Sequence, residues 1–219
     1  MNKIFEDKNL LIVAKDNKLS VQRDKKGNDG LLEILQKEYK ELYLINRIDT
    51  NVSGLVIFAK TKECSSKLSD MLNKKTIKKV YYAIVEGDVK NSDTLVHWLF
   101  KNQRLNISKV VNKNSQSAKE SILSYGKVAT FEYENKVYSY VKIKLETGRH
   151  HQIRVQFSHI GHPLYGDKKY NASFKGVGEN IALCGKELHF THPITRERLH
   201  LSCDFPEEDI WQKAISYNS

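Results

Sequence analysis

An arginine and an aspartate two residues apart, Arg47 and Asp49, sit in the polar middle of LINRIDTNVSGLVIFAK (44–60), between two apolar runs. Asn46, Thr50, Asn51 and Ser53 crowd the same stretch, more polar groups than a simple turn needs. In an extended chain side chains alternate faces, so Arg47 and Asp49 point one way while Asn46 and Ile48 point the other. The pair suits two uses: a salt bridge beside a strand end, or a carboxylate and a cation meeting one ligand. A second dense stretch, LETGRHHQIRVQFSHIGHPLYGD (145–167), puts Arg149, His150, His151, Gln152 and Arg154 where a strand turns into a helix. Free N–H groups and the macrodipole at a helix N-terminus attract anions, which makes Arg149 a natural phosphate contact. Arg154, further along, has two readings: a surface cation, or a guanidinium reaching inward to a carboxylate such as Asp49.

The histidines raise a metal reading, chiefly His150, His151, His159 and His162, with His189, His192 and Cys184 downstream. Their spacings lack the paired helical ligands or thiolate pairs of zinc sites, so no metal site is expected; contacts to a bound partner and helix caps suit them better. Ser53 is not flanked as a nucleophile elbow, and it is expected to hydrogen-bond the loop that holds Asp49.

The elements around these residues can be read from periodicity. LLIVAK (10–15) reads as a strand, GLLEILQKEYK (30–40) as a short amphipathic helix and SGLVIFAK (53–60) as a strand apolar on both faces. Thr61 suits the cap of a helix carrying Leu68, Met71 and Leu72 on one face. KKVYYAIVEG (78–87) should be a central strand, and residues 94–145 hold several more. Ile153, Phe157 and Ile160 at i, i+4 and i+7 predict a helix ending at Gly161. LHFTHPITRERLHLSC reads as two strands around a turn, and DFPEEDIWQKAISY as a final helix with Pro206 in its first turn. Strands outnumber helices without a strand–helix–strand rhythm, which makes the fold class α+β.

At 219 residues and 40% hydrophobic content the chain can bury a sizeable core, and no linker or repeat divides it, so one domain over 1–219 is expected. Three cysteines at no metal-like spacing, and a polar NKIFEDKN after Met1, lead to the expectation of a reduced, cytoplasmic protein. The longest apolar runs are far shorter than the roughly twenty residues a bilayer span needs. A net charge of +10 and a pI near 9.3 favour an anionic partner, nucleic acid first, although a lysine-rich solvated surface gives the same number. Only seven arginines are present, and Arg47, Arg149 and Arg154 fall inside the two dense stretches.

Taken together, three motifs resemble those of the RluA-type pseudouridine synthases, which isomerise uridine in ribosomal or transfer RNA. The family's His-Arg-Leu-Asp-x-x-Thr-Ser-Gly-Leu reads here Asn46-Arg47-Ile48-Asp49-Thr50-Asn51-Val52-Ser53-Gly54-Leu55. Lys-x-Tyr-x-Ala-x-Val-x-Gly is matched at Lys79, Tyr81, Ala83, Val85 and Gly87. Gly-Arg-Thr-His-Gln-Ile-Arg-Val-His, then Gly-x-Pro and Gly-Asp, is matched at Gly148, Arg149, His151 to Val155, Gly161, Pro163, Gly166 and Asp167, and a later His-Pro at His192 and Pro193. Asn46, Ile48, Val52, His150 and Gln156 depart from the pattern. The motifs keep the family's order, and the resemblance runs from Leu10 to Phe205.

The resemblance implies a mixed, mostly antiparallel central sheet with flanking helices and a catalytic cleft, needing no cofactor or metal. It implies Asp49 as nucleophile, Tyr81 stacking on uracil and helping to remove the C5 proton, and Arg154 paired with Asp49. The target uridine would flip out of its stack, with Arg47, Arg149, His151, Lys79 and the lysines just before it gripping RNA. The expected partner is an rRNA or tRNA stem-loop, with no membrane, no protein partner and a monomeric state. No N-terminal RNA-binding domain is expected ahead of LLIVAK. The competing expectation is a non-catalytic RNA-binding or ribosome-assembly protein on the same scaffold, which would tolerate loss of Asp49.

Overall fold

The computed structural model describes residues 2–24, 26–170 and 180–217. Two compact units emerge, neither continuous in sequence: Met1–Val80 with Cys184–Pro206, and Tyr81–Leu183 with Glu207–Ser219.

The first unit is built on β2 (Leu10–Lys15) and β4 (Ser53–Ala59). They pair antiparallel from Leu10↔Ala59 to Lys15↔Gly54. Every residue of β4 is buried and so is almost all of β2, which is why both read as apolar on both faces rather than alternating. A strand at β1 (Asn2–Glu6) pairs with β2 and is mostly exposed. Its polar composition hid it from the sequence reading, since an edge strand needs no apolar face. The two-residue β3 (Tyr43–Leu44) pairs with the far end of β4. The sheet is completed by β10 (Leu183–Thr191), parallel to β4 at Cys184↔Ser53 and Gly185↔Gly54, and by β11 (Arg198–Ser202), antiparallel to β10.

Two helices cover this sheet. Helix α1 (Leu31–Gln36) starts at Gly30, whose N–H is received by Glu33, and sends Leu31 and Leu35 into a core with Leu11, Val13, Val56 and Phe58. It stops earlier than the expected residue 40, and Tyr39 lies between the ammonium groups of Lys3 and Lys60. Helix α2 (Lys62–Asn73) is capped as expected, with Thr61 Oγ1 accepting from Cys64 N at 3.2 Å, and buries Cys64 and Leu68.

The chain enters the second unit along β5 (Lys78–Glu86). There β5 neighbours β9 (Lys136–Leu145), followed by β8 (Lys119–Tyr133), β6 (Ser92–Asn102) and β7 (Ile107–Val111). The β9–β8, β8–β6 and β6–β7 pairs are all antiparallel. Helix α3 (Gln152–His159) is buried from Gln152 to Phe157 without a break, so it has no solvated face over that stretch. The short α4 (Asp209–Ile215) packs Trp211 edge-on against Tyr140. Pro206 lies ahead of this helix instead of in its first turn. The chain stays extended to Glu208, held at its side chain by Asn180 at 2.7 Å. No helix among the described residues is long and apolar enough to cross a membrane. All three cysteines are free and buried.

Candidate active site

Asp49 is placed by a handover along one edge of β4. The chain pairs with β4 through β3, then Ile45 N donates to Ile57 O at 3.0 Å. At the next residue the side chain takes over: Asn46 Oδ1 receives Ile57 N at 2.7 Å and Asn46 Nδ2 donates to Leu55 O at 3.3 Å. The carboxamide thus serves as a backbone mimic, and the main chain is freed to leave the sheet. It turns at once, with Val52 N donating to Asp49 O at 3.1 Å, and re-enters as β4. Beyond the turn β10 takes up the edge at Ser53 and Gly54. The departure needs Gly54: its φ is +134°, and a Cβ there would lie 2.5 Å from Gly185 N.

Beneath this loop lies Lys15, only 1% exposed, at the end of β2. Its ammonium donates to Asp16 O at 2.9 Å, Leu19 O at 2.8 Å and Thr50 O at 3.1 Å. Three donors meet three carbonyls, one belonging to the residue after Asp49. Burial pushes Lys15 down to about 8, against the carboxylates of Asp16 and Asp49, which favour its charged form. Arg47, by contrast, is exposed and donates to Gln22 Oε1 at 3.3 Å. Ser53 does not bond the loop either; its hydroxyl is buried opposite Cys184.

In the second unit, Tyr81 is on β5 at 8% exposure. Lys79, two residues earlier on that strand, has its pKa lowered by burial. The segment matching the Gly-x-Pro motif runs along β5: Glu86 N donates to Pro163 O at 2.9 Å and Tyr165 N to Ile84 O at 2.9 Å.

The turn from β9 into α3 is held by Gln152, whose Oε1 receives both Thr147 Oγ1 and Arg149 N at 2.9 Å while Nε2 donates to Ile122 O at 3.1 Å. Arg149 is exposed and anchored at Nε on Glu120 O at 3.0 Å. His151, in the left-handed region at φ 54°, caps the helix by backbone position. Burial, reinforced by the cations of Arg154 and Lys169, pushes it down to about 2, so the ring is neutral. The Tyr170 hydroxyl receives Ser108 N at 2.7 Å and shares a hydrogen bond of 2.8 Å with His151 Nδ1.

Arg154 faces inward. Nε and Nη2 donate to the two oxygens of Asp167 at 2.6 and 2.7 Å, and the side chains are 7% and 0% exposed. The Tyr170 ring lies 5.1 Å from the guanidinium carbon. Asp167 in turn receives Lys169 N at 3.1 Å and Tyr170 N at 3.2 Å, so one turn presents both the carboxylate and the ring to Arg154. Of the two readings of Arg154, the surface cation is excluded.

Sequence reasoning singled out Arg47, Asp49 and Lys79 in the first unit and Tyr81, Arg149, His151 and Arg154 in the second. It missed Lys15, Ser108 and Tyr170, and it quoted Asp167 only as a motif residue. For Lys15 a faint signal exists, a lysine closing an otherwise apolar strand. For Ser108 and Tyr170 there is none, because 62 residues separate two groups joined by one hydrogen bond. Among the described residues no cluster of three or more His, Cys, Asp or Glu is arranged to hold a metal ion.

Residues 9–159 match the RNA pseudouridylate synthase family. The chain is 28% identical to ribosomal large subunit pseudouridine synthase D of Pseudomonas aeruginosa, over 95% of its own length and 69% of that protein. It is 26% identical to tRNA pseudouridine synthase C of Vibrio parahaemolyticus, covering 97% of this chain and 93% of that one. The solved human RNA Pseudouridylate Synthase Domain Containing 4 shares the fold, with a TM-score of 0.79 at 18% identity over 99% of this chain and 92% of its own. The chain belongs to the RNA pseudouridylate synthase family, in its RluA-type branch, and is an isomerase acting on RNA.

Proposed function

We propose that this enzyme converts a uridine of ribosomal or transfer RNA to pseudouridine, with Asp49 as the nucleophile. The observation that carries the reading is how Asp49 is held. An acidic side chain in the family's signature position stands on a loop that a carboxamide releases from β4 and a buried ammonium fastens through Thr50 O at 3.1 Å. A carboxylate on a pinned turn keeps one aim, which is what attack on a ribose or uracil carbon requires.

In this reading the uridine flips out of its stack, Asp49 attacks the ribose or the uracil ring, and the glycosidic bond breaks. The uracil then turns and rejoins the ribose through C5, and the C5 proton is removed with help from Tyr81. Atoms balance without a co-reactant, since the product is an isomer of the substrate. Arg154, held by Asp167, supplies the buried cation that its motif position implies. His151 meets RNA as a neutral ring, while Arg47, Arg149 and Lys79 meet phosphates. Relatives named for large-subunit ribosomal RNA and for transfer RNA support both substrate classes.

Asp49→Asn keeps shape and leaves every cation in place. It should abolish pseudouridine formation while RNA affinity stays within about twofold, because phosphate contacts dominate affinity. The readout is pseudouridine mapping in RNA from cells carrying the native gene, the variant or neither. Activity in the Asp49→Asn enzyme would overturn the nucleophile assignment, and a site present with the native gene but absent both without it and with the variant identifies the uridine.

A further inference from the structure

The sheet of the second unit has two unlike faces. Toward α3 it turns Leu95, His97 and Leu99 of β6; His97 meets Gln156 at 3.0 Å and stands edge-on to His159, while Tyr125 of β8 packs on Phe157. Alternation sends the intervening residues to the other side. There β6 carries Thr94, Val96, Trp98 and Phe100, with Ile122 of β8 opposite Val96 and Val111 of β7 opposite Trp98. The solvated face of an antiparallel sheet is ordinarily polar. This one is not: Val96 is 46% exposed, and Trp98, Phe100, Ile122 and Val111 are each half-buried. An apolar row rimmed by charge is the mark of a binding surface.

The chemistry of the row favours RNA over protein. Trp98 and Phe100 stand two residues apart, about 6.8 Å along the strand, and aromatic rings carried on a sheet in this way stack successive bases of an unpaired strand. Cations flank the rings. Lys109, paired with Phe100, holds its ammonium 6.0 Å from the ring centre, and Lys144 pairs with Ser124 on the same face. Glu120, across from Trp98, adds a carboxylate suited to accept from base amino groups. Its backbone oxygen receives Arg149 Nε at 3.0 Å, so an arginine assigned above to phosphate is anchored on the very residue that pairs with Trp98.

We propose that this face is a second RNA surface, which takes an unpaired segment of the substrate, its bases stacked on Trp98 and Phe100 and its phosphates held by Lys109 and Lys144. The proposal rests on the RNA-modifying role above and adds to it a site on the opposite side of the sheet from α3 and Arg154.

The probe is a labelled oligoadenosine of about ten nucleotides, a length such platforms take; it offers bases to stack and no uridine to flip. Of the two tryptophans Trp211 is only 1% exposed, so binding should quench the fluorescence of Trp98. Trp98→Leu keeps an apolar side chain without a ring, and should abolish the quench and weaken binding about tenfold, the usual worth of one stacked base. Trp98→Phe should bind within about twofold of the native protein, because a ring is restored. Lys109→Gln, at an exposed position, should lower the slope of log affinity against log salt by about 0.7, as for one phosphate of a single strand. Native protein that binds without a quench, or native affinity in Trp98→Leu, would overturn the proposal. So would a loss of self-association in place of RNA binding, which would assign the face to a second copy of the chain. Asp49→Asn should bind the probe as the native enzyme does. Should that variant still make pseudouridine, the nucleophile assignment falls, while the Trp98 comparison, read from binding alone, stands.

Discussion

A buried lysine under the Asp49 loop should have two pH signatures of opposite sign. Lys15 titrates near 8 in the folded chain and at 10.5 ordinarily. Between those values the unfolded chain binds more protons, so stability should rise with pH through that window. Activity should do the reverse, because a neutral amine loses one of three donors and the charge facing Asp49. Denaturant titrations and rate profiles measured side by side should therefore diverge above about pH 8. Lys15→Met leaves the carbonyls of Asp16, Leu19 and Thr50 without their donor, and should lower stability by about 2 kcal/mol or more. His151 gives a second window: it is held at about 2 against an ordinary 6.5, so the unfolded chain takes up the extra proton between these values and stability falls as pH drops through them. Replacing His151 with Gln should flatten that part of the stability curve.

Elements decide where these side chains can stand. Gly54→Ala puts a methyl 2.5 to 2.7 Å from the backbone of Gly185 at a φ of +134°. The parallel contact that completes the sheet should part, at about 3 kcal/mol. A marked fall in melting temperature checks it. The strands β2, β4 and β5 and the cap of α2 were legible, because apolar runs and a threonine cap are local signals. So was a helix carrying Arg154. The direction of Arg154 was not, since α3 is buried along its length and periodicity separates faces only when one is wet. Asn46 was read as a polar loop residue, while its role as a surrogate strand depends on Leu55 and Ile57 standing opposite. Local pattern reveals which residues are chemical; partners distant in the chain decide what each one touches.

For the molecule as a whole, the surplus of ten positive charges predicts RNA affinity that falls steeply with salt. Arg149→Ala should reduce the slope of log affinity against log salt by about one, without changing which uridine is modified. Binding isotherms at several salt concentrations measure it, and an unchanged slope would remove Arg149 from the phosphate contacts.

The parallel pairing of Ser53 and Gly54 with Cys184 and Gly185 also governs the order of events during synthesis. When β4 leaves the ribosome, its partner is about 130 residues from being made, which at ordinary elongation rates means on the order of ten seconds. For that interval a strand buried at every residue waits with the Ser53–Gly54 end of one edge unpaired by β10, beside a loop whose fastening lysine is already in place. The nascent protein is thus a natural client for chaperones that shield sticky segments, and its yield in cells should respond to translation speed between these two points more than anywhere else in the message.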